Sequence, residues 1–446
     1  MRYWVWAAGA LLAPCVAHAQ VSVFSDGYGY SRAVMTAELG TLQKMSKAPG
    51  AAGKLGGAGY YRVRGELENA NRAARACLEA VAASPPETVK GMAFLCEATL
   101  AGNALIEGDI AGWARHMQQV RSAYAQTIKP MLKSEAEIAD IARPRLERFV
   151  DWPRSAWPVA PRGADVDVPI QPSNELASLT ATVKGGDGQA QSLTFLLDTG
   201  AARSHLSRSA AKTLGLAVTE DFVVVDDAPG KVRMAGLVAP ADLVLNGVTV
   251  REVSFNSEEG REVNLIGLDV LRALGRVRIS RQSLTLLAAQ TPVDCKRRMA
   301  TTSSLWGPFF QQRYPIRSGE KNQLMLVDTG FNGAFQMRGA PRSAVPAASI
   351  RRKNVITTGG AEDIEYAEAS TPVMINDKVL NIPVDVAFQA PDLFASSWRI
   401  GYGVTARYDL YMDMQSTYGC LIERPVEPSL LPAPTPRAAA AGQARS

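Results

Sequence analysis

Two periodicities divide the chain. Between Ser31 and about Met131, apolar residues and alanines recur at the spacing of a helix with one buried face. Tyr60–Val81, Val89–Ile106 and Ile110–Ile128 read as three helices. Ser84-Pro85-Pro86 interrupts the first pair and Glu107-Gly108-Asp109 the second, since proline and glycine both disfavour continuing a helix. A stripe of Leu67, Ala74 and Leu78 is the core face of a small bundle. No 34-residue period repeats, so a tetratricopeptide array fits poorly. The glycine-rich stretch Gly50 to Gly59 reads as a flexible connection, and residues 20 to 30 as irregular chain. Asp151 to Pro161, with two tryptophans and three prolines, reads as a semi-rigid linker.

Beyond Ala164 the period falls to two. Asp165–Ile170, Ala177–Lys184 and Ser192–Leu197 read as strands, with Gly185-Gly186-Asp187-Gly188 as a hairpin turn. A helical turn at Arg208–Leu216 precedes a hairpin of Phe222–Val225 and Val232–Leu237. Ala241–Leu245 and Val248–Phe255 form another about Asn246-Gly247. Phe309–Ile316 and Gln323–Val327 begin the plan again. Val355–Thr358 with Ile364–Ala369, and Pro372–Ile375 with Val379–Ala387, complete it.

Two of these strands end in the same way. Leu193–Leu197 runs into Asp198-Thr199-Gly200-Ala201, and Leu324–Val327 into Asp328-Thr329-Gly330-Phe331. A carboxylate at the end of a buried strand is costly unless something uses it. A glycine two residues later permits a tight turn that brings backbone amides to it. Each copy has a sequel, Leu265-Ile266-Gly267-Leu268-Asp269 and Arg399-Ile400-Gly401-Tyr402-Gly403. Aligned on Gly267 and Gly401, the two segments continue without a gap, Val270 against Val404, Val277 against Tyr411 and Leu286 against Cys420. An internal repeat of this kind is an architecture.

An apolar strand, Asp-Thr-Gly-Ala and a later apolar-Ile-Gly-x-Asp resemble the retropepsin-like aspartic protease family, here of a bacterial exported type. Two such units in one chain are similar to the two-lobed pepsin arrangement. The resemblance covers roughly residues 165 to 424. Phe331 and Gly403 depart from the pattern of the first copy. The fold it implies is mainly β: two retropepsin-like lobes preceded by an α-helical N-terminal domain. The boundaries are 1–19 signal peptide, 20–150 helical domain, 151–163 linker, 164–290 first lobe, 291–424 second lobe and 425–446 disordered tail. The hairpins about Asp226–Gly230 and Gly359–Glu362 stand where the family carries mobile flaps.

Composition narrows the function classes. The apolar fraction of 47% is ordinary, and a net charge of +5 over 446 residues, without a basic block, argues against nucleic acid as a partner. Arg2, an apolar run to Val16 and Ala17-His18-Ala19 read as a secretory signal, and no run is long enough to span a bilayer. The expected location is periplasmic or secreted. Export leaves Cys77, Cys96, Cys295 and Cys420. Four cysteines allow three pairings, and position favours Cys77–Cys96 and Cys295–Cys420; four unpaired thiols are the alternative. Only His116 and His205 survive export, and neither His-Glu-x-x-His nor Gly-x-Ser-x-Gly occurs, so no metal or cofactor is expected.

The resemblance implies that Asp198 and Asp328 meet across the lobes as a catalytic pair sharing a water. At about 3 Å and an effective dielectric near 20, two carboxylates repel by roughly 5 kcal/mol, so the pair holds one proton over a wide range. Thr199 and Thr329 would lock the loops, Gly200 and Gly330 admit the amides, and Gly267 and Gly401 let a short helix pack beneath. The substrate is then a polypeptide, hydrolysed by an aspartic endopeptidase. Two other readings stay open: a catalytically inactive two-lobed module that binds a peptide or envelope protein, and lobes that pair between chains. The helical domain offers itself as a site for a protein partner. Neither Ala201 nor Phe331 carries a side-chain donor for the carboxylates, which predicts activity at mildly rather than strongly acidic pH.

Overall fold

A computed structural model of the chain describes residues 29–133, 137–155, 159, 162–173, 175–185, 188–228, 231–357, 360–388 and 397–424. The expected signal peptide and C-terminal tail lie outside these residues, as do the tips of both flap candidates at 229–230 and 358–359. The chain is mainly β in two lobes, with a helical region before them.

That region holds α1 (Leu39–Met45), α2 (Gly50–Val63), α3 (Leu67–Ala82), α4 (Met92–Ile106) and α5 (Ile110–Ala123). The glycine-rich stretch expected to be flexible is α2, a buried helix. Its glycines are a packing surface. A β-carbon on Gly56 would lie 2.6 Å from the backbone of Met45, and one on Gly59 2.6 Å from the Tyr30 ring. Helices this close bury enough apolar surface to offset glycine's poor helix propensity. The expected single helix Tyr60–Val81 is two, because Gly65 takes a φ of 72° between α2 and α3. Asp109 caps α5 by accepting from the Gly112 N–H at 2.7 Å. Cys77 of α3 is bonded to Cys96 of α4, as position favoured.

The first lobe contributes β1 (Val166–Ser173), β2 (Leu176–Lys184), β3 (Ala190–Leu197), α6 (Arg208–Thr213), β4 (Val218–Ala228), β5 (Lys231–Val238), β6 (Ala241–Leu245), β7 (Val248–Val253), β8 (Asn256–Ser257), β9 (Leu265–Ile266), α7 (Leu268–Leu274), β10 (Arg276–Ile279) and β11 (Ser283–Leu286). The second contributes β12 (Ala300–Ser303), β13 (Phe310–Ser318), β14 (Lys321–Val327), β15 (Phe335–Arg338), β16 (Arg351–Thr357), β17 (Gly360–Ile375), β18 (Lys378–Ala387), β19 (Trp398–Ile400), β20 (Tyr408–Asp413) and β21 (Tyr418–Glu423). Ile364–Ala369 and Pro372–Ile375, expected as separate strands, are parts of β17. Pro372 is accommodated there in the pairing with β18.

One sheet joins the lobes, in the order β21-β20-β10-β11-β1-β2-β3-β9. Where the lobes meet, on β10 and β20, Arg276 pairs with Asp413 and Ile279 with Leu410. The alignment on Gly267 and Gly401 sets Arg276 against Leu410 and Ile279 against Asp413. Exchanging the lobes therefore turns the first pair into the second, so a pseudo-two-fold axis passes between β10 and β20. Cys295 is bonded to Cys420 of β21, again the favoured pairing.

Two described residues of the linker bond to the first lobe. Trp152 Nε1 donates to Ser254 Oγ at 2.9 Å and Ser155 Oγ to the Glu252 carbonyl at 2.9 Å. The helical core continues into the lobes. Phe222 of β4 packs edge-on against Trp113 of α5 at 5.0 Å and tilted against Phe149 at 5.1 Å.

Candidate active site

Strands β3 and β14 each deliver an aspartate at the centre of the molecule. The Asp198 N–H donates to the Ile266 carbonyl at 2.9 Å and the Asp328 N–H to the Ile400 carbonyl at 2.8 Å. Each loop then folds back on the segment after Gly267 or Gly401. The Leu268 N–H reaches the Ala201 carbonyl at 2.9 Å, and the Tyr402 N–H reaches the Phe331 carbonyl at 2.8 Å. The two glycines make that contact possible. A β-carbon on Gly267 would lie 2.8 Å from the Ala201 carbonyl oxygen, and one on Gly401 2.5 Å from that of Phe331.

The threonines join the loops reciprocally. Thr199 Oγ1 donates to the Val327 carbonyl at 3.0 Å and accepts from the Thr329 N–H at 2.9 Å. Thr329 Oγ1 donates to the Leu197 carbonyl at 2.7 Å and accepts from the Thr199 N–H at 3.1 Å. All four groups are buried, so each hydroxyl satisfies a donor and an acceptor that water cannot reach.

The carboxylates face each other through the glycines. A β-carbon on Gly200 would lie 2.5 Å from Asp328 Oδ1 and 3.1 Å from Asp198 Oδ1. One on Gly330 would lie 2.6 Å from Asp198 Oδ1 and 2.7 Å from its Oδ2. A single carbon would touch both carboxylates, so the two groups occupy one site within one chain. Asp198 Oδ1 accepts from the N–H groups of Gly200 at 2.8 Å and Ala201 at 3.1 Å.

Side chains break the backbone symmetry. Arg399 of β19 donates from Nη1 to Asp328 Oδ2 at 3.2 Å, and its guanidinium lies over the Phe331 ring at 4.6 Å. Sequence reasoning passed over Arg399. Its signal was a charged residue ahead of Ile400-Gly401, where the first copy has Leu265 ahead of Ile266-Gly267. The donor absent from the side chain at position 331 is thus supplied from position 399. Lys353 stands 6.0 Å from the same ring and 4.6 Å from that of Tyr366, and it is ion-paired with Asp385.

Beneath the first loop, Asp269 is buried and accepts from the Ser204 N–H at 2.8 Å, Ser204 Oγ at 2.6 Å and the Val270 N–H at 2.8 Å. Burial raises its proton affinity, and Arg203 opposes that. In the second lobe Gly403 takes its place. A β-carbon there would meet the Gly333 carbonyl carbon at 2.7 Å, so backbone fills the space of the carboxylate. His205 donates its Nδ1–H to the Val263 carbonyl at 2.7 Å and at Nε2 accepts the Glu258 N–H at 3.1 Å.

Residues 187–273 match the model of the gag-polyprotein putative aspartyl protease family, a span that includes Asp198, Gly267 and Asp269 and ends before Asp328. No curated protein sequence matches the chain. Two solved structures are similar at low identity. Basic 7S globulin from soybean is 9% identical, with 59% of this chain and 95% of that one covered and a TM-score of 0.35. The aspartic proteinase from Irpex lacteus is 12% identical, with 58% and 97% covered and a TM-score of 0.34.

Proposed function

We propose that the chain is an aspartic endopeptidase whose catalytic residues are Asp198 and Asp328. The observation that carries this reading is the close approach of both carboxylates to Gly200, within loops locked by Thr199 and Thr329. Two carboxylates that close share one proton, which provides a base and an acid together. One takes a proton from water as its oxygen attacks the peptide carbonyl carbon. The other gives its proton to the carbonyl oxygen. The C–N bond then breaks as the first carboxyl returns its proton to the nitrogen and the second recovers one from a hydroxyl. The hydrolysed substrate is a polypeptide, and the setting is the periplasm or the exterior, in keeping with two disulfides.

A second reading, a two-lobed module that binds peptides without cutting them, rests on the Arg399 contact, which occupies one oxygen of the pair. One assay separates the two. Incubated with unfolded polypeptides between about pH 4 and 7, an endopeptidase yields internal cleavage that Asp198→Asn abolishes, a loss of about 10³-fold or more. Cleavage that survives Asp198→Asn removes the assignment of that residue. Binding without cleavage by the wild type establishes the module.

A further inference from the structure

We propose that Arg399 selects polypeptides with an aspartate or glutamate next to the scissile bond, its guanidinium receiving the carboxylate of that side chain. The proposal rests on the peptidase reading of the same site and adds its substrate class. The lobes differ at the equivalent positions that border the pair. Leu265 pairs with Leu196 beside the first loop, and Arg399 pairs with Leu326 beside the second. Leucine presents only methyl groups. Arginine presents a planar fork of five N–H donors on a permanent cation. One of its nitrogens, Nη1, reaches Asp328 Oδ2 at 3.2 Å. The other two keep donors that a second carboxylate can take. The two side chains are 16% and 15% exposed, so a ligand lying on the pair can touch both.

The fork is held in place. The guanidinium lies over the Phe331 ring at 4.6 Å. That ring is buried and wedged: a β-carbon on Gly333 would lie 2.3 Å from its tip, and one on Gly401 2.5 Å from its edge. The aromatic residue that departs from the first copy is therefore the platform of the arginine. Along the sheet Arg399 stands between Leu326 of β14 and Gln336 of β15, neither of which carries charge. Lys353, 6.0 Å from the same ring, has its charge matched by Asp385. Among the described residues the ion pair of Arg399 is with Asp328, so its charge is matched by the pair itself.

The sign of the preference follows from that charge. Two close carboxylates that share one proton carry one negative charge between them, whichever of the two holds the proton. An acidic substrate side chain brought beside them is repelled unless a cation stands there. Arg399 neutralises the charge of the pair, and its remaining donors bond the incoming carboxylate. A lysine at the same place meets the guanidinium and is refused. Reach confines the effect to a residue flanking the scissile bond, because the cation touches the pair directly and successive Cα atoms of a substrate lie about 3.8 Å apart. With Leu265 at the equivalent position of the first lobe, only one of the two flanking residues is selected for charge.

The test is kcat/KM at about pH 6, where a glutamate side chain is ionised. The substrates are peptides acetylated and amidated at their ends, with Glu, Gln or Lys on either side of one scissile bond. At one of the two positions the wild type is expected to cleave the Glu peptide about 10–100-fold better than the Gln peptide, the range of a charge-assisted hydrogen bond, and the Lys peptide least. Arg399→Leu, which copies the first lobe, should lose the preference for Glu and take Lys above it, and Arg399→Lys should keep part of the wild-type ratio. Equal rates for Glu and Gln in the wild type overturn the proposal, and that ratio decides even where the leucine variant fails to fold. A Glu preference that survives in folded Arg399→Leu overturns it as well. So does a Gln peptide with a free terminal carboxylate just past the bond that is cleaved as well as the Glu peptide, since the ligand is then a chain end. If the chain cleaves none of these peptides, the peptidase reading fails by itself, and Kd values of the same peptides decide the site: a Glu preference lost in Arg399→Leu upholds it, and the lack of any preference overturns it.

Discussion

At the scale of single residues, the loops depend on two hydroxyls. Thr329 Oγ1 serves both the Leu197 carbonyl and the Thr199 N–H, neither of which reaches water. Thr329→Val keeps the shape and removes the hydroxyl. It leaves a buried donor and a buried acceptor unpaired, at a cost of about 2–5 kcal/mol. Thr329→Ser keeps the hydroxyl and should recover most of that stability. Urea unfolding of the three proteins checks this; equal midpoints for the valine and serine variants would show that the hydroxyl bonds contribute nothing. These residues were legible because a carboxylate at a strand end followed by glycine is chemically unusual. Arg399 was not, since an arginine ahead of Ile400-Gly401 shows its meaning only when β19 lies beside β14 and turns it toward Asp328.

At the scale of elements, period and turn chemistry located most strands, and tertiary packing overruled local propensity elsewhere. Strand β6 is found where alternation placed it. Helix α2 was missed because glycine reads as flexibility until a neighbouring helix fills the space beside it. The segment between the first loop and α6 adds a titratable feature that sequence could not weigh. His205 is pushed below its ordinary 6.5, first by burial and then by Arg261, while Glu258 and Glu262 oppose the shift. Its Nε2 accepts the Glu258 N–H, and protonation would set a donor against a donor. The folded state thus binds this proton more weakly than the unfolded chain does. The stabilising contribution is present above pH 6.5 and is lost as the pH falls through the lowered folded value. Melting temperatures of the wild type and His205→Gln should converge as the pH drops from about 7 to 5, since the glutamine carries no such proton. Parallel curves would show that His205 does not titrate in the folded chain.

At the scale of the molecule, the helical region braces both lobes. The Arg62 guanidinium, fully buried and pulled down to about 10 by that burial, donates to Ser303 Oγ at 2.8 Å, the Ser304 carbonyl at 2.5 Å and the Leu305 carbonyl at 2.9 Å. Trp113 Nε1 donates to the Trp306 carbonyl at 2.9 Å. On the other side, Phe149 and Trp113 grip Phe222 at the base of the first flap candidate. A partner for the helical region was an expectation from sequence; the surface described here is turned to the protein's own lobes. Such contacts between distant segments leave no periodic trace, which is why the chain read as separate units joined by a linker. The two-fold register of β10 on β20 was foreshadowed, because a gapless repeat carries its symmetry in the numbering.

The family match ends before Asp328, so the proposed half of the pair in the second lobe rests on the repeated Asp-Thr-Gly and on the geometry of the two loops. The most direct test is kcat/KM for cleavage of an unfolded polypeptide by Asp328→Asn, beside the wild type and at the same pH. One pair within one chain predicts a loss of about 10³-fold or more, with the fold intact by circular dichroism. Activity within a few-fold of the wild type would contradict it, leaving Asp198 to act alone or with Asp198 of a second chain.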